Sequence, residues 1–348
     1  MATSELLDVA PAAKVAPRVA LLTGLRPTGS LTLANVVGAV QPLLGRQQLE
    51  QQPILLFVAD LHALTDNEPA AVAGQVRATV ADLLALGIDA SRIRLFVQSA
   101  VLDDVNELAG YLARLVRVSE LLRQPSLKDK LRAGQGAEQA SAALLMYPVL
   151  MAADILLHGA AVVPVGEDQL AHLELARLLA RRFNAAHGPT LVEPRALPGP
   201  ALRILALRGE KKMSKSDPET ALLLDDDAAT ANRKIAGCQT AVEGRMSPHL
   251  ASHLQLIESL DPEAAGEATA IVAGHLRGER VMGRFKQHFA RVVTDYLARV
   301  QSRRARLTSG DIDLVLAEGR AFARGSARRT LGEARQAMRF RADVPRTE

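Results

Sequence analysis

At 348 residues the chain is long enough for two packed domains, and 48% hydrophobic with 23% charged residues is ordinary for a soluble globular protein. Its only cysteine, Cys238, excludes a disulfide within the chain and leaves nothing to suggest a cysteine-ligated zinc site. No uninterrupted apolar stretch approaches the roughly 18 residues that span a bilayer, so no membrane partner and a soluble, cytoplasmic protein are expected. The chain has no Trp and 3% aromatic residues, so the core must come from Leu, Val, Ile and Ala. The net charge of +4 hides an asymmetry, because residues 277–348 hold 17 Lys plus Arg against 8 Asp plus Glu. A basic segment on an acidic body suits a polyanion such as RNA, and a solvated helix surface accounts for the charge equally well. The scarcity of aromatics disfavours a base-stacking platform for single strands.

In chain order, residues 1–16 are rich in Ala and Pro, lack the basic start and apolar centre of a signal peptide, and read as a flexible extension. Residues 19–22, 54–59 and 93–97 are short apolar runs read as buried strands. Between the second and third, residues 69–86 are Ala- and Leu-rich without internal proline, and predict a helix. Residues 161–165 read as another strand, running into Gly166-Glu167-Asp168. Beyond it Ala171, Leu175, Leu178 and Leu179 fall on one helical face. Strand, turn and helix put that turn at the carboxyl edge of the sheet, where open α/β sheets bind ligands. A proline-rich connector, residues 194–200, precedes one more short apolar run at 204–207. Residues 221–340 look mainly helical, with breaks near Ser247-Pro248, Asp261-Pro262 and Ser309-Gly310. The alternation predicts an α/β fold with a Rossmann-like, doubly wound parallel sheet over residues 17–220. A helical domain over 221–310 and a C-terminal helix over 311–348, packing back on the first domain, complete the expectation.

Three blocks carry chemistry. Lys212-Met213-Ser214-Lys215-Ser216 places two lysines around small residues, which could neutralise charge as a phosphate group departs; alone, it could be any exposed basic loop. Residues 23–35 read Thr-Gly-Leu-Arg-Pro-Thr-Gly-Ser-Leu-Thr-Leu-Ala-Asn, a strand opening through glycines into a helix start, where free amides favour phosphate. Glycine in such a turn also serves geometry alone. In Tyr147-Pro148-Val149-Leu150-Met151-Ala152-Ala153-Asp154-Ile155-Leu156, Asp154 sits among apolar residues. It is either paired locally or the acceptor for a buried donor such as an indole N–H. His62, in Asp60-Leu61-His62-Ala63-Leu64-Thr65, follows a strand, where a lone histidine is more often structural than catalytic.

Taken together, these blocks resemble the class I aminoacyl-tRNA synthetases, most closely their tryptophanyl branch, across roughly residues 18–340. The resemblance implies ATP and Mg2+, L-tryptophan and tRNA(Trp), a homodimer, and an anticodon-binding role for the helical domain. By resemblance Thr32 and Asn35 stand where other class I enzymes carry two histidines, and with Lys212 and Lys215 they would act on the phosphates. ATP would lie against Arg26, Pro27, Thr28, Ala34, Gly166, Glu167, Asp168, Ile204, Met213, Ser214 and Ser216. The amino acid would meet Leu22, His62, Tyr147, Met151, Asp154, Val163, Val165 and Gln169. No resident metal ligand is implied.

The match departs from the family pattern at Ala34, which replaces a glycine against which the adenine would lie, and at Arg26 and Leu22, which replace Gln and an aromatic. Arg123-Gln124-Pro125-Ser126-Leu127-Lys128 also differs, and with Arg26-Pro27 it resembles a divergent bacterial branch often present as a second copy. A tyrosyl enzyme would need polar readers for a phenol, against which Met151, Ala152, Ala153 and Asp154 argue. A paralogue activating tryptophan or an analogue outside translation stays open on Ala34 and Leu22.

Overall fold

Every residue of Ile54–Val58 is buried, which requires cover on both faces of the strand. The computed structural model describes residues 15–65, 67–125, 141–165, 169–198, 204–242 and 244–339. It makes this segment β2 of a five-stranded sheet. The other strands are β1 (Val19–Leu25), β3 (Ile93–Val97), β4 (Ala160–Val165) and β5 (Arg195–Pro198). All pair in parallel, in the order β3-β2-β1-β4-β5. Ile54, Leu56 and Val58 enter one core cluster while Leu55 and Phe57 enter the other, so the period of two in β2 feeds both faces. The chain runs outward from β1 to β3 and then returns to β4 on the far side of β1. That reversal is the topological switch point, where sheets of this kind bind ligands.

Helix α1 is a run of three segments, Leu33–Asn35, a π-helical turn Val36–Val40, and Gln41–Arg46. Helices α2 (Asp60–Ala63) and α3 (Pro69–Ala85) lie before β3. Between β3 and β4 come α4 (Leu102–Ala113), α5 (Val118–Leu121) and α6 (Ala142–Leu157), and α7 (Leu170–His187) leads to β5. The remaining helices are α8 (Ala228–Ala236), α9 (Pro248–Leu260), α10 (Ala265–Leu276), α11 (Met282–Arg304) and α12 (Ser309–Ala337). Phe285 and Phe289 of α11 share a core cluster with Leu56 of β2, so the helical region and one face of the sheet have a continuous interior. Helix α12 crosses the β3 edge: Ile312 packs in the first cluster, Ala323, Ala327 and Leu331 in the second. No described helix is long and apolar enough to cross a membrane.

One strand is not where the apolar runs suggest. The fifth strand is Arg195–Pro198, inside the proline-rich connector, whereas Leu205 of the 204–207 run makes a single antiparallel bridge to Lys212. Proline cannot donate to a ladder, so it is tolerated where no partner needs that N–H, as along a sheet edge. β5 is the edge strand, and Pro198 is its last residue.

Candidate active site

The first half of the candidate site, where the resemblance puts the amino acid, is built around Asp154. Two buried side chains converge on one of its oxygens: His62 Nε2 lies 2.8 Å from Oδ2 and Gln98 Nε2 donates to it at 2.6 Å. Gln98 Oε1 also accepts the His62 backbone N–H at 3.3 Å, closing a three-residue ring of contacts. His62 and Asp154 are each 4% exposed and Gln98 1%. Parallel pairing sets the first two partners side by side, because β2 and β3 end at one edge, with Asp60 and Gln98 directly beyond. Asp60 Oδ1 ties the two turns together, accepting the backbone N–H groups of Leu61 and Ser99, each at 3.0 Å. Asp154 arrives on α6, whose internal Pro148 follows Tyr147. Tyr147 meets the His62 ring edge-on at 4.6 Å between centroids and the His172 ring at 5.6 Å. Leu22 and Val163 lie in the adjoining core cluster, with Met151 packed against it.

The second half, where the resemblance puts the phosphates, joins two motifs far apart in sequence. Thr32 caps α1 in a reciprocal capping box with Asn35. The Asn35 N–H donates to Thr32 Oγ1 at 3.1 Å, while the Thr32 N–H and hydroxyl donate to Asn35 Oδ1 at 3.2 and 3.0 Å. Thr32 is 1% exposed, so its hydroxyl serves the helix start, and the Asn35 amide Nδ2 is the more open donor of the two. Antiparallel bonds from Leu33 N to Leu222 O and from Leu224 N to Leu31 O, both 2.9 Å, fasten this turn to the segment after the lysine loop. The loop itself starts from a hairpin, with Met213 N donating to Ile204 O at 3.0 Å and Ala206 N to Lys211 O at 2.9 Å. Met213 and Ile204 are buried in the core, while Lys212, Ser214 and Ser216 are exposed. From this anchored base Lys215 reaches across, and its Nζ donates to Gly29 O at 2.9 Å. Arg26 and Pro27 lie in the same turn, and Ala34 in the first turn of α1 is buried. Thr28 is exposed.

Burial holds the Lys215 ammonium below its ordinary pKa, opposed by Asp82, with Arg26 pushing the same way as burial. Asp82, on α3, is pushed up to about 6 by burial; Arg304 opposes, Asp225 adds, and Lys215 opposes. Arg304 Nε contacts Asp82 Oδ1 at 2.9 Å, joining α11 to α3 beside the lysine loop. A carboxyl whose folded pKa stands above its unfolded 3.8 binds protons more tightly in the native state. Its contribution to stability is therefore full below pH 3.8 and is lost as pH rises through about 6. Asp82→Asn removes this dependence. Relative to the parent, the variant is expected to gain about 2 kcal/mol in stability between pH 4 and pH 7. Denaturant melts at the two pH values measure that difference, and a pH-independent difference would refute the assignment.

Gly166, Glu167, Asp168 and Ser126 lie outside the described residues, and Val165 is described by its backbone alone. Gln169 stands at the start of α7, next to these residues. The structure thus brings His62, Tyr147 and Asp154 into one cluster, and Lys215 and Gly29 into another, with Lys212 pointing to neither in a recorded side-chain bond. Gln98 and His172 are members that sequence reasoning missed. The signal for Gln98 was its place directly after β3, at the ligand-binding edge. Among the described residues no group of three His, Cys, Asp or Glu could hold a metal ion.

A parallel Rossmann-like sheet, a glycine turn entering a helix, and a lysine loop folded back on that turn define a nucleotide-dependent synthetase of class I. The family model for class I tRNA synthetases (W and Y) matches residues 14–289, and the chain belongs to that family. Within it, the chain sits with the tryptophanyl enzymes. It is 38% identical over 333 residues to a tryptophan–tRNA ligase of Treponema pallidum, covering 91% of this chain and 96% of that protein. A tryptophanyl-tRNA synthetase structure from Mycoplasma pneumoniae superimposes with a TM-score of 0.80 at 29% identity, over 92% and 97% of the two chains. The Campylobacter jejuni enzyme, complexed with ADP and tryptophan, gives 0.78 at 28% identity, over 92% and 99%.

Proposed function

We propose that this protein is a tryptophan–tRNA ligase, working on magnesium–ATP, L-tryptophan and tRNA(Trp), as a cytoplasmic homodimer. The observation that carries the substrate is Asp154, a buried carboxylate held by His62 and Gln98 on the helix that also presents Tyr147 and Met151. An indole N–H is a donor only, and a buried carboxylate is an acceptor that such a donor satisfies. In the first step the tryptophan carboxylate attacks the α-phosphorus of ATP, the bond to the bridging oxygen breaks, and pyrophosphate leaves. In the second, a ribose hydroxyl of the tRNA terminus attacks the aminoacyl carbonyl and AMP leaves. Neither step needs an enzyme nucleophile, because positioning and charge stabilisation suffice. Lys215 and Lys212 answer the charge gathering on the departing pyrophosphate, and the Asn35 amide and the 29–35 turn hold the phosphates beside them. Magnesium arrives on the triphosphate and neutralises part of its charge. Arg26, Pro27, Thr28, Ala34 and Ile204 line the adenosine side.

The test is amino-acid-dependent ATP–pyrophosphate exchange with all twenty amino acids, followed by tRNA charging. Exchange with tryptophan at a kcat/KM more than about 10²-fold above tyrosine is expected, in line with discrimination by a buried hydrogen-bonding site. Exchange with tyrosine alone overturns the substrate, and exchange without charging of any tRNA overturns the translational role.

A further inference from the structure

Both recorded bonds to Asp154 end on the same oxygen. Gln98 Nε2 and His62 Nε2 converge on Oδ2, and among the described residues none is recorded to Oδ1. His62 Nδ1 is buried with no partner among the described residues, so a proton there would be an unsatisfied donor. That assigns the ring N–H to Nε2, pointing at Asp154. Gln98 cannot turn its amide over without loss. Its Oε1 accepts the His62 N–H at 3.3 Å, and the flip would put an NH2 against that N–H and an oxygen against the carboxylate. Gln98 therefore has one orientation, and that orientation dictates which edge of Asp154 is used up.

We propose that Gln98 is a specificity-determining positioning residue: by holding Asp154 Oδ2 it leaves Oδ1 as the acceptor that reads the ring N–H of the amino-acid substrate. The proposal rests on the tryptophan reading above. Gln98 touches no substrate itself and acts through Asp154. The ring of contacts is built from two strand ends and one helix, so the carboxylate plane is fixed before the ligand arrives. Discrimination then follows from mispairing. A ring lacking the N–H leaves a buried carboxylate oxygen unsatisfied, which costs far more than a lost contact.

Two substitutions separate positioning from mere support of the fold. Gln98→Met keeps length and volume but gives up the donor. It is expected to raise the KM for tryptophan in pyrophosphate exchange at least tenfold with kcat within threefold of the parent. The parent's preference for tryptophan over benzothienylalanine, whose ring carries sulfur in place of N–H, should fall at least tenfold. Gln98→Glu places a second carboxyl beside Asp154, and two carboxyls at that distance share one proton. With the shared proton the new side chain can still donate to Asp154, and without it the two repel. Its KM for tryptophan is therefore expected to climb at least tenfold more than the parent's from pH 6 to pH 8.5. Because the chain contains no Trp, the fluorescence anisotropy of bound tryptophan gives a direct equilibrium titration for every variant. If the parent uses tryptophan and both variants keep its KM, its preference over the sulfur analogue and its pH profile, the positioning role is wrong while the substrate reading stands. If the parent neither binds nor activates tryptophan, the substrate reading fails and takes this proposal with it. Should Gln98→Met fail to fold, the pH profile of folded Gln98→Glu decides alone.

Discussion

Replacing Lys215 with alanine is expected to lower kcat for tryptophan-dependent pyrophosphate exchange by about 10²–10³-fold, with a much smaller change in the KM for tryptophan. The asymmetry follows from where the ammonium sits. Lys215 is partly buried, and its Nζ is held 2.9 Å from the Gly29 carbonyl, inside the turn that opens α1. A charge placed there and shielded from water acts strongly on charge that develops nearby and costs little reorganisation when the reaction proceeds. On the proposed reading tryptophan would bind against Asp154, apart from the lysine, so its KM is expected to be largely indifferent to this substitution. Lys212 is exposed, and alanine there should cost less than at Lys215 because water screens its charge. Steady-state exchange on both variants, with ATP and tryptophan varied separately, measures the split. A loss below tenfold at Lys215, or a loss confined to tryptophan KM, would place the phosphate chemistry elsewhere.

The largest effect on stability is expected at Gly319. This glycine lies within α12 where the helix presses backbone to backbone on β3: an added Cβ would overlap the Leu95 carbonyl oxygen and stand 2.5 Å from its carbon. Neither atom belongs to a side chain that can swing away, so the helix or the strand must move. Gly319→Ala is expected to destabilise the protein by about 3 kcal/mol, lowering Tm by roughly 4 °C. The sign is what makes the measurement sharp, since alanine in an unobstructed helix interior is favoured over glycine by about 1 kcal/mol. The same helix supplies the control. Gly325 and Gly332 have nothing within 4 Å of an added Cβ, and alanine at either should raise stability by about 0.5–1 kcal/mol. Parallel thermal melts of the three variants settle it, and a stabilised Gly319→Ala would show that the contact yields freely.

How far the molecule could be read from its residues depended on whether a feature was local. The first four strands are short apolar runs, and a strand buried on both faces has little choice but to be one. Arg195–Pro198 carried the opposite signal, because prolines mark a connector until one knows that the strand lies at an edge. Asp154 was legible as an acid stranded among apolar neighbours on α6. Its partner Gln98 was not, since one amide after a strand looks like any other until β2 and β3 are set in register. Thr32 and Asn35 were legible through family resemblance, but their mutual bonding is a matter of geometry at a helix start. Asp82 showed least of all: a polar residue on an Ala- and Leu-rich helix reads as solvent-facing, and only the arrival of Arg304 from α11 explains its burial.

Helix α12 also has a meaning in time. All five strands leave the ribosome before the helix that crosses the β3 edge has been made. Until then β3 offers its outer backbone groups to any passing strand, and its neighbouring clusters lack Ile312 on one side and Ala323, Ala327 and Leu331 on the other. Nascent chains therefore pass through a stage in which the catalytic sheet is assembled but unsealed, and ribosomes that stall before Ser309 would release chains inclined to pair with one another.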